Sequence, residues 1–165
     1  MALEIERKYL INNDSWRQEV VRSERITQGY LNQYDPAKAG PQSSVRVRIG
    51  GTLEAPKAWL NIKSATLGIE RQEYEYRIPV AEAELMLESL CAKPQIDKTR
   101  HYIPNGEFTW EVDEFFGDNA GLIVAEIELS NTDDTFAKPQ WLGQEVSGDP
   151  RYYNSELIKH PYTAW

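Results

Sequence analysis

The chain has 165 residues, 41% of them apolar and 27% charged, with a net charge of -8. That composition suits one globular domain with its own core, expected over residues 1–165, and the acidic balance argues against a general nucleic-acid surface. A single cysteine and two histidines exclude an intrachain disulfide and disfavour a thiolate or imidazole zinc site.

The N-terminal MALEIERKYL carries acids and bases where a secretory leader would carry an apolar run. No apolar run is long enough to span a bilayer, so the cytoplasm is the expected location and no membrane partner is expected.

Alternating segments predict eight strands, at about 3–11, 25–34, 43–50, 57–64, 70–78, 95–103, 107–115 and 122–130. Val45, Val47 and Ile49, then Tyr74 and Tyr76, then Trp110 and Val112 supply the β-branched and aromatic content. Gly50-Gly51 ends the third strand, and Pro104-Asn105-Gly106 reads as a hairpin turn. The stretch from Asp35 to Ser44 reads as a loop. Helices are expected at four places. Ser15 and Gln18 have capping-box spacing ahead of Trp16 and Val20. Pro79 precedes AEAELMLESL, whose Leu85, Leu87, Leu90 and alanines would pack on a sheet. A third helix is expected after Asp133-Asp134, carrying Phe136. A fourth is expected over Ser155 to Lys159, stopped by Pro161.

Charge pairs spaced by two carry the functional signal, because that spacing puts both charges on one strand face. The acidic pairs are Glu4 and Glu6, Glu73 and Glu75, Glu111 and Asp113, and Glu126 and Glu128. The basic pairs are Arg46 and Arg48, and Lys98 and Arg100; Lys63 shares a face with Asn61, and Lys8 continues the first acidic run. Opposite these charges lie apolar residues such as Val45, Val47, Trp110, Val112 and Ile127. Two arrangements satisfy this pattern. Either the charges face water, or the sheet curls so that they line a lumen and helices cover its outside. Eight strands suffice to close a small barrel.

If the charges converge, arginine forks and lysine point charges suit phosphate oxygens. Carboxylates on one wall suit a hard cation such as Mg²⁺. Four carboxylates on the seventh and eighth strands would repel unless a metal or cations resolve the conflict. Glu73 and Glu75 fit a supporting role, orienting cations. His101 and His160 read as structural or exposed, and the tryptophans as packing.

Taken in order, Glu4-Ile-Glu6-Arg7-Lys8, Gln28-Gly29-Tyr30-Leu31, Arg46-Val47-Arg48, Lys63, Glu73-Tyr74-Glu75, Lys98-Thr99-Arg100, Trp110-Glu111-Val112-Asp113 and Ala125-Glu126-Ile127-Glu128-Leu129 resemble the CYTH superfamily, also called triphosphate tunnel metalloenzymes. The segment from Glu145 to Asn154 is similar to that family's C-terminal block, with Tyr153 where a small residue is usual. The resemblance spans nearly the whole chain. It implies an α+β fold, mainly β: a closed eight-stranded antiparallel barrel, with helices packed outside and a charged tunnel within.

For activity it implies metal-dependent hydrolysis of inorganic tripolyphosphate to pyrophosphate and phosphate, with Mg²⁺ or Mn²⁺ as cofactor. Glu4, Glu6, Glu128 and Glu126 would hold a metal, and Glu111 and Asp113 would complete the acidic wall. Lys8, Arg46, Arg48, Lys63, Lys98 and Arg100 would bind phosphate. Lys8 and Tyr30 resemble a dyad that orients or activates water. The family also contains thiamine and nucleoside triphosphatases and class IV adenylate cyclases, and these stay open as alternatives. So does a non-catalytic triphosphate sensor. A homodimer enters by analogy with the family only.

Overall fold

The computed structural model describes residues 3–165. Nine strands form the sheet: β1 (Leu3–Ile11), β2 (Arg22–Tyr30), β3 (Ser43–Gly51), β4 (Pro56–Ser64), β5 (Glu70–Ile78), β6 (Ile96–Asn105), β7 (Phe108–Phe115), β8 (Ile123–Glu128) and β9 (Leu142–Glu145). Two α-helices, α1 (Val80–Ser89) and α2 (Asn154–Leu157), accompany them with short 3₁₀ turns. The first eight strands run in the order β5-β4-β3-β2-β6-β7-β8-β1, every neighbouring pair antiparallel. Pairing of Leu3 with Gln72, Glu4 with Arg71 and Ile5 with Glu70 joins β1 to β5 and closes the barrel. Closure leaves these eight strands without a free edge along the seam.

One edge of β1 serves β8, through Glu6 to Leu10. Its other edge is shared. The N-terminal end closes the barrel on β5, while Tyr9 and Ile11 pair with Glu145 and Leu142 of β9. This ninth strand had no counterpart in the expected eight. It is only four residues long, and Gly143 interrupts its side-chain pattern. Gly143 is needed there: a Cβ would lie 2.9 Å from the carbonyl oxygen of Leu10.

The apolar core lies outside the barrel wall. Tyr9, Trp110, Val112, Ala125 and Ile127 point outward from β1, β7 and β8, and Trp16 and Trp141 cover them. Edge-to-face contacts fix Trp110 against Tyr9, Phe136 and Trp141 at 5.5–5.6 Å between centroids. A second cluster covers β3 and β4, where Val47 and Ala58 meet Ala83, Leu87 and Cys91. Gly29 allows this close approach, because a Cβ there would stand 2.7 Å from Cys91 Cβ. A third cluster joins Tyr30, Ile96, Phe115 and Val124 to Leu157 and Ile158 of the C-terminal segment.

Three helix expectations change. Residues Asp14–Glu19 form a 3₁₀ turn capped by Asn13, whose side chain accepts the Ser15 N–H, so Ser15 is inside the turn and is not its cap. No helix follows Asp133-Asp134. The Asp134 carboxylate accepts the backbone N–H groups of Ser130 and Asn131, which closes a turn in its place. Lys138-Pro139 further disfavours helical backbone. On α1, Ala83 and Leu87, four apart, form the buried stripe as expected, whereas Leu85 and, just past the helix end, Leu90 are exposed. Among the described residues no helix is long and apolar enough to cross a membrane.

Candidate active site

Strand alternation turns the expected site residues toward the barrel interior, where all but Lys98 and Asp113, both buried behind the lining, border one cavity. The cross-strand register then sets which charges meet. Glu6 stands opposite Glu128, Lys8 opposite Glu126, and Glu126 in turn opposite Glu111. Arg100 stands opposite Asp113, Lys63 opposite Glu73, and Asn61 opposite both Arg46 and Glu75. A cavity of about 190 Å³ lies between the strands, lined by Glu4, Glu6, Lys8, Tyr30, Arg46, Arg48, Lys63, Glu73, Glu75, Arg100, Glu111, Glu126 and Glu128, with Asn61 and Asp113 set behind its lining. Of the two readings of the charge pattern, the lumen is the one realised.

One wall is a buried ion-pair network. Arg100 bonds both oxygens of Asp113 at 2.8 Å and reaches Glu126 at 3.0 Å and Glu111. Lys98 Nζ lies 2.7 Å from Asp113, and Lys8 Nζ lies 3.1 Å from Glu126. Burial pushes the Glu126 and Asp113 carboxyls up, but Arg100 and Lys98, joined at Glu126 by Lys8, outweigh it and hold both below the ordinary range. Burial dominates at Lys98, over the pull of Asp113, and takes its ammonium down to about 8.

The other wall is looser. Lys63 Nζ sits 2.9 Å from both Glu4 oxygens and 3.9 Å from Glu73. Arg46 reaches Glu73 at 3.6 Å, and Arg48 reaches Glu75 at 3.7 Å. Asn61 Nδ2 donates to both Glu73 and Glu75, at 3.0 and 2.7 Å, so the two acids expected in a supporting role are held by one amide. The Nε groups of Arg46 and Arg48 are buried without a hydrogen-bond partner among the described residues. Such a donor costs free energy until something accepts from it.

Glu6 and Glu128 differ from the other carboxylates, since neither forms an ion pair among the described residues. Burial, then Glu126 and Glu4, raise the Glu6 carboxyl to about 8. Burial, Glu4 and Glu111 also raise Glu128. Among the described residues no three carboxylate, thiolate or imidazole groups converge into a ready metal cage. A wall offering two unpaired carboxylates still suits Mg²⁺, which keeps several waters and commonly takes one or two carboxylates together with substrate phosphates.

Lys8 and Tyr30 both border the cavity, but no hydrogen bond joins them among the described residues. Lys8 Nζ donates to the Tyr152 carbonyl at 3.2 Å, and Tyr30 Oη accepts from Gln28 Nε2 at 3.4 Å. Burial pulls the Lys8 ammonium down, but Glu126 and Glu6 more than offset it, leaving it above its ordinary value.

Several lining residues escaped the sequence reading. Arg71 sits two before Glu73 on β5 and Tyr102 two after Arg100 on β6, so alternation alone could have found both. Tyr153, Asn154 and Ser155 come from the C-terminal segment, where no periodic signal exists; Asn154 Oδ1 accepts from Lys98 Nζ at 3.3 Å. Of the cations lining the cavity, Arg71 alone forms no ion pair among the described residues.

The fold and site are thus a closed antiparallel barrel whose lumen interleaves arginines, lysines and carboxylates. The family model of the CYTH domain matches residues 2–153, and the chain belongs to that family. An inorganic triphosphatase of Acetivibrio thermocellus is 46% identical over 162 residues, covering 98% of this chain and 97% of that protein. An inorganic triphosphatase of Nitrosomonas europaea is 30% identical over 158 residues, covering 93% and 95%. A solved crystal structure of an inorganic triphosphatase superposes with a TM-score of 0.63 at 30% identity, covering 96% of this chain and 95% of its own. A Pyrococcus horikoshii protein shares the fold at 22% identity, with a TM-score of 0.55 over 79% of this chain and 80% of its own.

Proposed function

We propose that the chain hydrolyses inorganic tripolyphosphate to pyrophosphate and phosphate inside the barrel, with Mg²⁺ or Mn²⁺. The observation that carries this reading is the pair of buried, unpartnered Nε groups of Arg46 and Arg48 in a cavity dominated by cations and carboxylates. Two relatives of nearly equal length, both inorganic triphosphatases, support the same substrate.

Arg46, Arg48 and Lys63 on one side, and Lys8 and Arg100 on the other, bind the phosphate oxygens, and Lys98, buried behind the lining against Asp113, adds its charge to that side. Their carboxylate partners keep them charged and ordered before substrate arrives. Phosphate oxygens then draw Lys63 from Glu4, and the exchange leaves Glu4 free to turn toward Glu6 and Glu128. These three carboxylates would hold the metal, with Glu126 bordering them. Glu111 and Asp113 complete the acidic wall, with Asp113 anchoring Lys98 and Arg100. When bound, the metal supplies charge neutralisation at the phosphate oxygens and a lower pKa for coordinated water.

Phosphoryl transfer asks mainly for positioning and charge stabilisation. Water attacks a terminal phosphorus, the bridging P–O bond breaks, and the pyrophosphate leaving group is stabilised by the cations around it. Lys8 stays an ammonium at neutral pH and acts through its charge, because Glu126 and Glu6 favour its protonated form. Tyr30, beside Arg46 in the ladder, helps orient the attacked phosphate.

The test is turnover in Lys8→Ala and in the double variant Glu4→Gln with Glu6→Gln, each checked for fold by circular dichroism. Abolished phosphate release from folded protein is expected. Retained activity in either overturns the site assignment. Tight calorimetric binding of tripolyphosphate to wild type with no release under any metal points to a sensor, and cyclic AMP from ATP points to a cyclase.

A further inference from the structure

A second cavity, of about 470 Å³, adjoins the charged tunnel. Tyr34, Pro36, Leu67 and Pro150 give it an apolar lining, and it shares Ser44, Arg71, Tyr153 and Ser155 with the tunnel. Arg71 and Tyr153 therefore stand where the two cavities meet. The Arg71 guanidinium lies 4.5 Å over the Tyr153 ring centroid, and Lys8 Nζ lies 5.6 Å from the same centroid. Tyr153 is held rigidly: it is buried, and its hydroxyl donates to the Ser147 carbonyl at 2.8 Å. Arg71 donates to the Gly68 carbonyl at 3.3 Å but meets no carboxylate among the described residues.

We infer that Arg71 and Tyr153 form a specificity partition, with Arg71 binding a terminal phosphate of a bare polyphosphate and the Tyr153 ring closing the way to the apolar cavity. This rests on the tripolyphosphatase reading above. The chemistry follows from what lies on each side. A bare terminal phosphate presents oxygens that a guanidinium can grip, and it needs no apolar space. A phosphate carrying an organic group would have to place that group beyond the partition, where the apolar cavity offers room but the anchored ring stands in the path. The partition so favours inorganic over organic triphosphates through both an attractive and a repulsive element.

The experiment measures kcat and KM for tripolyphosphate and for ATP in wild type, Arg71→Ala, Tyr153→Ala and Tyr153→Phe, each with its melting curve. Arg71→Ala is expected to raise KM for tripolyphosphate about tenfold or more, with the loss falling on KM more than on kcat. Tyr153→Ala is expected to reduce the preference for tripolyphosphate over ATP by about tenfold. Tyr153→Phe keeps the ring and should keep the preference. An unchanged KM in Arg71→Ala overturns the inference, as does an unchanged preference in folded Tyr153→Ala. If Tyr153→Ala does not fold, Tyr153→Leu removes the aromatic face, and Arg71→Ala decides by itself. A wild-type chain inactive on tripolyphosphate would instead sink the underlying reading.

Discussion

Glu6 and Glu128 face each other across β1 and β8, and neither carboxylate forms an ion pair among the described residues. Every other acid of the lumen is tied to a lysine, an arginine or the Asn61 amide. Two like charges opposed in a sheet repel, and here both carboxyls are shifted toward their protonated forms. A bound divalent cation removes that conflict. Glu6→Gln or Glu128→Gln should raise the metal concentration needed for half-maximal phosphate release, with a smaller effect on KM for substrate at saturating metal. Titrations with Mn²⁺ check this, and unchanged metal curves in both variants would place the metal elsewhere.

The same pair sets the pH dependence of the metal-free protein. Glu6 titrates near 8 when folded and near 4.5 when unfolded. Between those values the folded chain holds a proton that the unfolded chain has released, so this contribution to stability falls as pH rises. The raised Glu73, Glu111 and Glu128 carboxyls act in the same direction. The depressed Glu4, Asp113 and Glu126 stabilise as pH rises, but that gain is complete by about pH 5. Lys98, lowered to about 8, favours folding only above that value. Melts in EDTA should therefore show Tm falling from about pH 5.5 to 7.5, and Glu6→Gln should flatten the slope. A flat or rising Tm in wild type contradicts this.

Asp113 is a structural anchor as much as a site residue. It is fully buried and bonds both Lys98 and Arg100. Asp113→Asn leaves two buried cations short of charge and should cost about 3–5 kcal/mol. Glu75→Gln is the contrast. Its pair with Arg48 is 3.7 Å long and its side chain 44% exposed, so the loss should be about 1 kcal/mol or less. Urea denaturation of the two variants checks the difference.

How far all this could be read in the chain depends on what each feature rests on. Strand periodicity carries the lumen directly: a spacing of two forces Arg46 with Arg48, and Lys98 with Arg100, onto one face wherever the strands lie. The order of the strands carries it less well. Which acid meets which cation follows from register, and no local pattern announces that Lys63 pairs with Glu4, fifty-nine residues away. The short β9, interrupted by Gly143, was invisible for the same reason, whereas the turn closed by Asp134 rests on a local side-chain contact that competes with the helix. Arg71 was legible by alternation; Tyr153 and Asn154 stood out only through the resemblance of their segment to the family's C-terminal block, since no periodicity points them at the lumen.

Gly29 offers a test of the packing outside the barrel. A Cβ there would stand 2.7 Å from Cys91 Cβ and 3.0 Å from Leu87 Cδ2. Gly29→Ala should destabilise by about 1–3 kcal/mol. Adding Cys91→Gly, which removes the clashing Cβ, should recover part of the loss, because the two sites are in contact. Additive losses in the double-mutant cycle would contradict the steric account.

Binding in a charged lumen should weaken with salt, since part of the attraction acts before contact. KM for the anion should rise with ionic strength while kcat changes less. A KM independent of salt would argue against a lumen that draws in its substrate by charge.

The most direct measurement is phosphate release from inorganic tripolyphosphate, with ATP and thiamine triphosphate beside it, under Mg²⁺, Mn²⁺ and EDTA. Fast release from tripolyphosphate with either metal, abolished by EDTA, is the predicted result. No release from tripolyphosphate under any metal, from a chain shown to be folded, would contradict the assignment.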